Sequence, residues 1–142
     1  MPFDGGCLCG AIRYELLSER VLAVHCYCQM CRKAHGTAYS THFVCPPEDL
    51  RWTQGESGLV QYESSPDAYR EFCRECGTHL LVHGQTGDGN LALPVGTLDG
   101  DPEVTILTHI FTSELVSWHE INDELPQHDQ WPPGFGPEAK SG

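Results

Sequence analysis

The stretch His25-Cys-Tyr-Cys-Gln-Met-Cys-Arg-Lys-Ala-His-Gly36 carries three thiols, at Cys26, Cys28 and Cys31, and two cations follow them directly. Disulfides between such near neighbours would close small, strained rings and leave one thiol unpaired. A turn can instead point all three sulfurs at one thiophilic metal about 2.3 Å away. Three protein ligands leave the fourth tetrahedral position of zinc open for water or substrate, so this stretch predicts a catalytic zinc site.

Length and composition predict a single domain of modest size. The chain has 142 residues, enough for a modest hydrophobic core, and no apolar run approaches the roughly 20 residues of a membrane span. The segment Met1–Gly6 lacks the basic and apolar regions of a secretory signal, so we expect a cytoplasmic protein. In a reducing compartment, eight cysteines are expected to be metal ligands rather than disulfides.

The charge balance is strongly acidic, with a formal net charge of −12 at pH 7. Such a field disfavours nucleic acid and anionic membranes as partners. The chain has eight Lys and Arg residues in total, and two of them, Arg32 and Lys33, directly follow Cys31. These two could bind a carboxylate of a small-molecule substrate, since a guanidinium matches a carboxylate in a bidentate fork. A solvated surface pair is the alternative interpretation.

Short runs of alternating or β-branched residues, separated by turns, predict a mainly β protein with little helix. In the run 11–17, Ile12, Tyr14 and Leu16 share one face of an expected strand. Residues 28–35 predict one or two helical turns that Gly36 ends. Further strands are expected at 21–25, 37–44, 48–52, 58–63, 69–72, 79–83, 90–95 and 104–111. Residues 3–10 are expected to form a glycine-rich turn.

The domain is expected to span residues 1–126 and to be stabilised by metal. Beyond Leu125 the chain contains four of its ten prolines and no apolar period. Residues 127–142 are therefore predicted to form a proline-rich tail that lies on the surface or is disordered.

Four other cysteines form two well-separated pairs, Cys7 with Cys9 and Cys73 with Cys76. Two such pairs suit a closed, four-sulfur structural zinc site that ties the start of the chain to its middle. A redox motif of the thioredoxin type plus unrelated thiols is the alternative. Cys45, between Val44 and Pro46, is expected to be a small buried apolar residue.

The three-cysteine stretch also has an alternative interpretation. A histidine such as His25 or His35 could complete a second structural zinc site. A protein ligand in the fourth position would close the site and weaken the enzyme hypothesis. The identity of the fourth ligand therefore separates an enzyme from a structural module.

Several short motifs follow one another between residues 5 and 126. They are Gly6-Cys-Leu-Cys-Gly10, Cys26-Tyr-Cys-Gln-Met-Cys-Arg-Lys33 with Gly36, Phe72-Cys-Arg-Glu-Cys-Gly-Thr78, Val95-Gly-Thr-Leu-Asp99, and His109-Ile-Phe-Thr-Ser-Glu114 with Ser117, Trp118, Ile121, Asp123, Leu125 and Pro126. Together they resemble, in order, the motifs of the glutathione-dependent formaldehyde-activating enzymes, also called the centromere-protein-V/Gfa domain. One departure is Tyr27, where this family commonly has His.

The resemblance implies a β-tent (Mss-type) fold of several small coiled antiparallel sheets, stabilised by zinc. It implies a structural zinc on Cys7, Cys9, Cys73 and Cys76, and a catalytic zinc on Cys26, Cys28 and Cys31. The implied activity is the condensation of glutathione with formaldehyde to S-hydroxymethylglutathione, by an enzyme classed as a carbon–sulfur lyase.

Two other functions stay open at this point. One is zinc-dependent hydrolysis of an imine or a related C–N bond, and the other is a non-catalytic zinc module that binds a macromolecule. His109 is expected to be a hydrogen-bonded structural residue. Trp118 is expected to pack in the fold or to form a wall of the substrate pocket.

Overall fold

The computed structural model describes residues 2–84 and 86–135. Short strands dominate, as the sequence predicts, and the α-helix occupies two turns between the third and fourth strands. The elements are β1 (Phe3–Gly6), β2 (Arg13–Leu16), β3 (Val21–Cys26), α1 (Gln29–His35), β4 (Ser40–Cys45), β5 (Leu50–Gln54), β6 (Leu59–Ser65), β7 (Ala68–Cys73), β8 (His79–His83), β9 (Leu91–Pro94) and β10 (Val104–Ile110). No helix among the described residues is long and apolar enough to cross a membrane.

The strands form two sheets. A three-stranded sheet has the order β1-β2-β5, and a seven-stranded sheet has the order β10-β3-β4-β9-β8-β7-β6. The prediction of a mainly β fold is confirmed. Among the described residues, every neighbouring pair is antiparallel except β3 with β10, which run parallel. This exception places His109 beside His25 and Ile110 beside Cys26, at the strand end that carries the three cysteines.

The hydrophobic core lies where the two sheets meet. On β2 and the turn before it, Ile12, Tyr14 and Leu16 are each 1% exposed, so the predicted alternation faces the core. The Tyr14 ring packs against Phe43 of the large sheet, with ring centroids 6.4 Å apart. Burial of each such side chain contributes roughly 1.5–3 kcal/mol, which fixes one sheet on the other.

Local structure differs from the sequence prediction at a few places. Residues 3–6 form β1 rather than a turn, because they pair antiparallel with β2. Residues 47–49 form a 3-10 turn, and β5 therefore begins at Leu50. The prediction for Trp118 is wrong: its side chain is 70% exposed and lines neither cavity described below.

The segment after Leu125 runs along β10. The His109 amide donates to the Pro126 carbonyl at 2.9 Å, and the His128 amide donates to the His109 carbonyl at 2.9 Å. The Phe111 amide donates to the Gln130 carbonyl at 3.2 Å. Residues 136–142 of the predicted tail lie outside the described part of the chain, and the boundary at residue 126 stays a prediction.

Candidate metal centres

The three neighbouring cysteines lie on a strand end and a helix start. Cys26 ends β3, and Cys28 is the N-cap of α1, whose sulfur accepts a hydrogen bond from the Cys31 amide at 3.3 Å. Cys31 lies in the first helical turn and is buried. Gly36 ends the helix with φ 66°, a left-handed conformation that glycine adopts at low cost. Helix capping therefore turns the second and third sulfurs toward the first.

The resulting set can hold one metal ion. The sulfurs of Cys26, Cys28 and Cys31 all lie within 4.8 Å of one another, and all three residues are buried. Within residues 2–84 and 86–135, no His, Asp or Glu joins this group. His25 instead hydrogen-bonds Thr41, with 2.8 Å between Nδ1 and Oγ1. Three ligands with an open fourth position is the arrangement of catalytic zinc.

A buried cation lies beside the sulfurs. Arg70 of β7 is 3% exposed, and its Nη2 donates to the Cys31 sulfur at 3.5 Å. Hydrogen bonds from the Cys26 and Cys28 thiols lower the pKa of the Cys31 thiol, and the charge of Arg70 acts in the same direction. The shared hydrogen bonds and burial raise the pKa of the Cys26 thiol, and the pKa of the Cys28 thiol is also raised, so Arg70 favours the thiolate that a metal requires at Cys31 in particular.

Three histidines, His35, His42 and His79, lie close enough to Arg70 for its charge to act on each of them. Burial lowers the pKa of His35 and of His42 to about 4 each, and it also lowers the pKa of His79. The His35 ring lies 5.1 Å from that of His42 and 4.9 Å from that of His79, centroid to centroid. The group therefore supplies polar atoms without adding positive charge at neutral pH.

A cavity of about 590 Å³ opens on the three sulfurs. Its walls are mostly apolar and include Val24, Val44, Ile110 and Phe111, and His42 and Glu114 add polar atoms. Trp131, from the segment along β10, closes one side and packs edge-on against Phe111, with ring centroids 5.2 Å apart. This volume suits a small molecule.

The other four cysteines form a second, separate set. The sulfurs of Cys7, Cys9, Cys73 and Cys76 lie within 4.8 Å of one another. The sulfurs of Cys7 and Cys9 are 3.6 Å apart, and those of Cys9 and Cys73 are 3.9 Å apart. Zinc–sulfur bonds of 2.3 Å in a tetrahedron place sulfurs about 3.8 Å apart, so these residues fit a four-thiolate zinc site.

Each of the two chain segments in this set turns at a glycine. The Gly10 amide donates to the Cys7 carbonyl at 3.1 Å, and the Gly77 amide donates to the Cys73 carbonyl at 2.8 Å. Both glycines have a positive φ, 81° and 79°, where a Cβ would be strained. The chain can therefore reverse directly after the ligand pair on each side.

Tyr27 points away from the three sulfurs, into a polar chain. Its hydroxyl lies 2.8 Å from His109 Nδ1, and His109 Nε2 lies 2.9 Å from Asp123 Oδ1. Burial raises the pKa of Tyr27 to about 12, and the hydrogen bond from His109 lowers the pKa of Asp123. His109 is thus a hydrogen-bonded residue, as the sequence predicts, and its partner is the residue that departs from the family pattern.

The two cations next to the cysteine stretch do not line the cavity at the sulfurs. Arg32 Nε donates to the Tyr27 carbonyl at 3.3 Å, and Lys33 is exposed. Their part in substrate binding stays a prediction. Sequence reasoning missed Arg70, although a charged residue at a core-facing position of the strand 68–73 is a usable signal.

The fold and the two cysteine sets define a small, mainly β protein built on thiolate metal ligands. A family model described as glutathione-dependent formaldehyde-activating enzyme matches residues 2–114. Because the match covers most of the chain, the chain belongs to that family, which is of the carbon–sulfur lyase type. The resemblance seen in the sequence motifs is confirmed.

Individual relatives agree with this assignment. A Halomonas elongata protein provisionally named a glutathione-dependent formaldehyde-activating enzyme is 25% identical over 146 residues, covering 98% of this chain and 92% of its own length. A Podospora anserina protein with the same provisional name is 36% identical over 83 residues, 55% of this chain and 39% of that protein. An uncharacterized lyase of Schizosaccharomyces pombe is 32% identical over 81 residues, 56% of this chain and 57% of that protein.

The matched part is therefore less than two thirds of each of these two fungal relatives. A solved structure of a Rhodobacter sphaeroides protein superposes with a TM-score of 0.59 and 27% identity, over 72% of this chain and 98% of that chain. The shared fold thus covers nearly the whole of a solved protein.

Proposed function

We propose that the protein is a zinc-dependent carbon–sulfur lyase that joins glutathione and formaldehyde into S-hydroxymethylglutathione. In this reaction the thiol sulfur bonds to the carbonyl carbon, and the thiol proton passes to the carbonyl oxygen. The observation that supports it best is the buried set Cys26, Cys28 and Cys31, open toward a small-molecule cavity and without a fourth protein ligand in the described residues. The names of the family and of the relatives supply the substrates.

Zinc is the metal that both cysteine sets suit best. The four-thiolate set would hold a structural ion, and the three-thiolate set would hold a catalytic one. When bound there, zinc supplies an exchangeable position that can take a thiolate or polarise a carbonyl. Eight cysteines free of disulfides suit a reducing compartment, so we infer a cytoplasmic location.

The residues of the cavity provide charge and shelter from water. The guanidinium of Arg70 lies next to the Cys31 sulfur, and its positive charge offsets negative charge brought in by a thiolate substrate. The apolar walls around Ile110 and Phe111 exclude water from the adduct and strengthen that electrostatic attraction.

The test measures exchange between glutathione and its formaldehyde adduct by NMR exchange spectroscopy, above the uncatalysed rate. We expect the zinc-loaded protein to accelerate exchange, and Cys28→Ala to lose that acceleration together with about one zinc per chain. Cys45→Ala is the matched control, because Cys45 is buried but belongs to neither set. A Cys28→Ala protein with full zinc content and full rate would overturn the proposal.

Two further outcomes address the alternative functions. An imine hydrolase would use the same open position but would not require a thiol, so absence of glutathione binding at millimolar concentration would favour it. A non-catalytic module would bind zinc at both sets and accelerate neither reaction. Isothermal calorimetry with glutathione, and rate measurements with a model imine, separate these cases.

A further inference from the structure

A second cavity, of about 510 Å³, is lined by Arg70, the residue whose Nη2 donates to the Cys31 sulfur. Gln29 and Met30 line both cavities, so the start of α1 separates them. The second cavity is lined by Lys33, Ser64, Arg70 and His79 among others. The proposed reaction uses none of these except Arg70, so this space has no role assigned so far.

Three of the described residues that line this cavity carry buried polar atoms without partners. Within the described residues, Arg70 Nε and Nη1, Ser64 Oγ and His79 Nδ1 are all buried and make no hydrogen bond. Leaving a buried donor unpaired costs about 1–3 kcal/mol, and more for a charged group. Arg70 is 3% exposed, and a guanidinium offers donors and no acceptor, so its unpaired Nε and Nη1 mark a position for an acceptor.

The charge of the cavity contrasts with that of the chain. The protein has a formal net charge of −12, yet no Asp or Glu is found among the described residues that line this cavity. Arg70 at its base and Lys33 at its rim supply two positive charges, and burial lowers the pKa of His79, which favours the neutral ring. An acidic protein that keeps two cations and no carboxylate in one concave space selects anions there.

We propose that this second cavity is a binding site for the carboxylate of a small molecule. Small side-chain shifts on binding expose the buried atoms: Arg70 then donates to the carboxylate from Nε or Nη1, Ser64 and His79 add neutral hydrogen bonds, and Lys33 attracts it at the entrance. Because Arg70 also donates to Cys31, the carboxylate and the three-thiolate set share one guanidinium. The carboxylate comes either from the thiol substrate, which rests on the proposed function, or from a separate small acid.

The probes are acetate and S-methylglutathione, added to the zinc-loaded protein. S-methylglutathione keeps both carboxylates of glutathione but has no thiol, so a metal–thiolate bond cannot cause its binding. Amide NMR shifts in 29–34 and around Ser64 and His79 should saturate with one or both probes. Tighter binding of S-methylglutathione than of acetate assigns the substrate carboxylate, and equal or weaker binding assigns a separate acid.

Variants locate the site. Lys33→Glu should weaken probe binding at least about tenfold, since it reverses one of the two charges. Arg20→Glu is the matched control: it makes the same charge change at an exposed residue outside the cavity, and should change affinity less than about twofold. Ser64→Ala should also weaken binding without changing the fold, which amide spectra check.

Two results would overturn the proposal: no shift at these residues with either probe, or equal effects of Lys33→Glu and Arg20→Glu. Neither result depends on turnover of glutathione and formaldehyde. The carboxylate site and the proposed reaction can therefore fail independently.

Discussion

Tyr27 supports the three-cysteine set although its side chain does not face the sulfurs. It lies between Cys26 and Cys28 in sequence, and the alternation of an extended chain sends its ring to the opposite face. There the ring is 1% exposed, and its hydroxyl meets His109, which is fixed in turn by Asp123. The hydrogen bond from Tyr27 to His109 of β10 therefore fixes the backbone between Cys26 and Cys28. This contact gives Tyr27 a structural role at the position where the family commonly has His.

Replacing Tyr27 by Phe tests this role. Tyr27→Phe keeps the ring but leaves His109 Nδ1 buried without its partner, which should reduce the free energy of unfolding by about 1–3 kcal/mol. Urea unfolding measures the change, and Tyr62→Phe, at a 63% exposed side chain, should have almost no effect. Unchanged stability of Tyr27→Phe would mean that the hydrogen bond to His109 contributes nothing net.

Because His42 is buried as a neutral ring, we expect the protein to lose stability on mild acidification. Burial lowers its pKa to about 4, whereas an unfolded histidine titrates near 6.5. Between these values the unfolded chain binds more protons than the folded one, so stability falls as pH falls. From pH 7 to pH 5, His42 should account for roughly 2 kcal/mol. Urea unfolding of wild type and His42→Gln at both pH values should show a smaller drop in the variant; equal drops would contradict the prediction.

At the scale of elements, sequence patterns predicted those strands and helix ends that depend on neighbouring residues. The alternation in β2, the helix ended by Gly36, and the strands β8 and β9 depend on residues close in sequence. The parallel contact of β10 with β3 joins residues about 80 apart, and no local pattern reports it. The same holds for Arg70 and Trp131, because their place beside the sulfurs depends on how distant strands pack. The residue types and their spacing could thus predict the cysteine ligands. The residues around those ligands become known only from the packing of the folded chain.

Trp131, in the segment that runs along β10, forms a wall of the cavity at the three sulfurs, and its removal should affect substrate binding. Trp131→Ala removes the ring that packs against Phe111, so the cavity opens to water on that side. We expect KM for the glutathione reaction to rise several-fold, with a smaller effect on stability because the ring is only partly buried. Trp118→Ala is the matched control, since Trp118 is 70% exposed and outside both cavities. An equal change in KM in both variants would contradict the assignment of Trp131.

At the scale of the whole molecule, the two cysteine sets differ in what they connect. The four-thiolate set joins residues 7–9, which follow β1 of the small sheet, to residues 73–76, which begin at the last residue of β7 in the large sheet. A metal there adds its binding energy to the packing of one sheet on the other. The three-thiolate set joins residues within six positions of one another, so its metal closes no long loop. Loss of the metal from the four-thiolate set should unfold the chain, and loss of the metal from the three-thiolate set should not.

Stepwise removal of zinc tests this division. A chelator titration of the two-zinc protein should first remove one ion, because three protein ligands hold zinc less tightly than four. Glutathione exchange activity should vanish at that step while near-UV circular dichroism keeps its native form. Removal of the second ion should coincide with cooperative unfolding, since the closure between residues 7–9 and 73–76 is lost. Cys73→Ala should mimic the second step and Cys28→Ala the first. Unfolding that accompanies loss of the first ion, or activity that survives it, would mean that the structural and catalytic roles of the two sets are assigned the wrong way round.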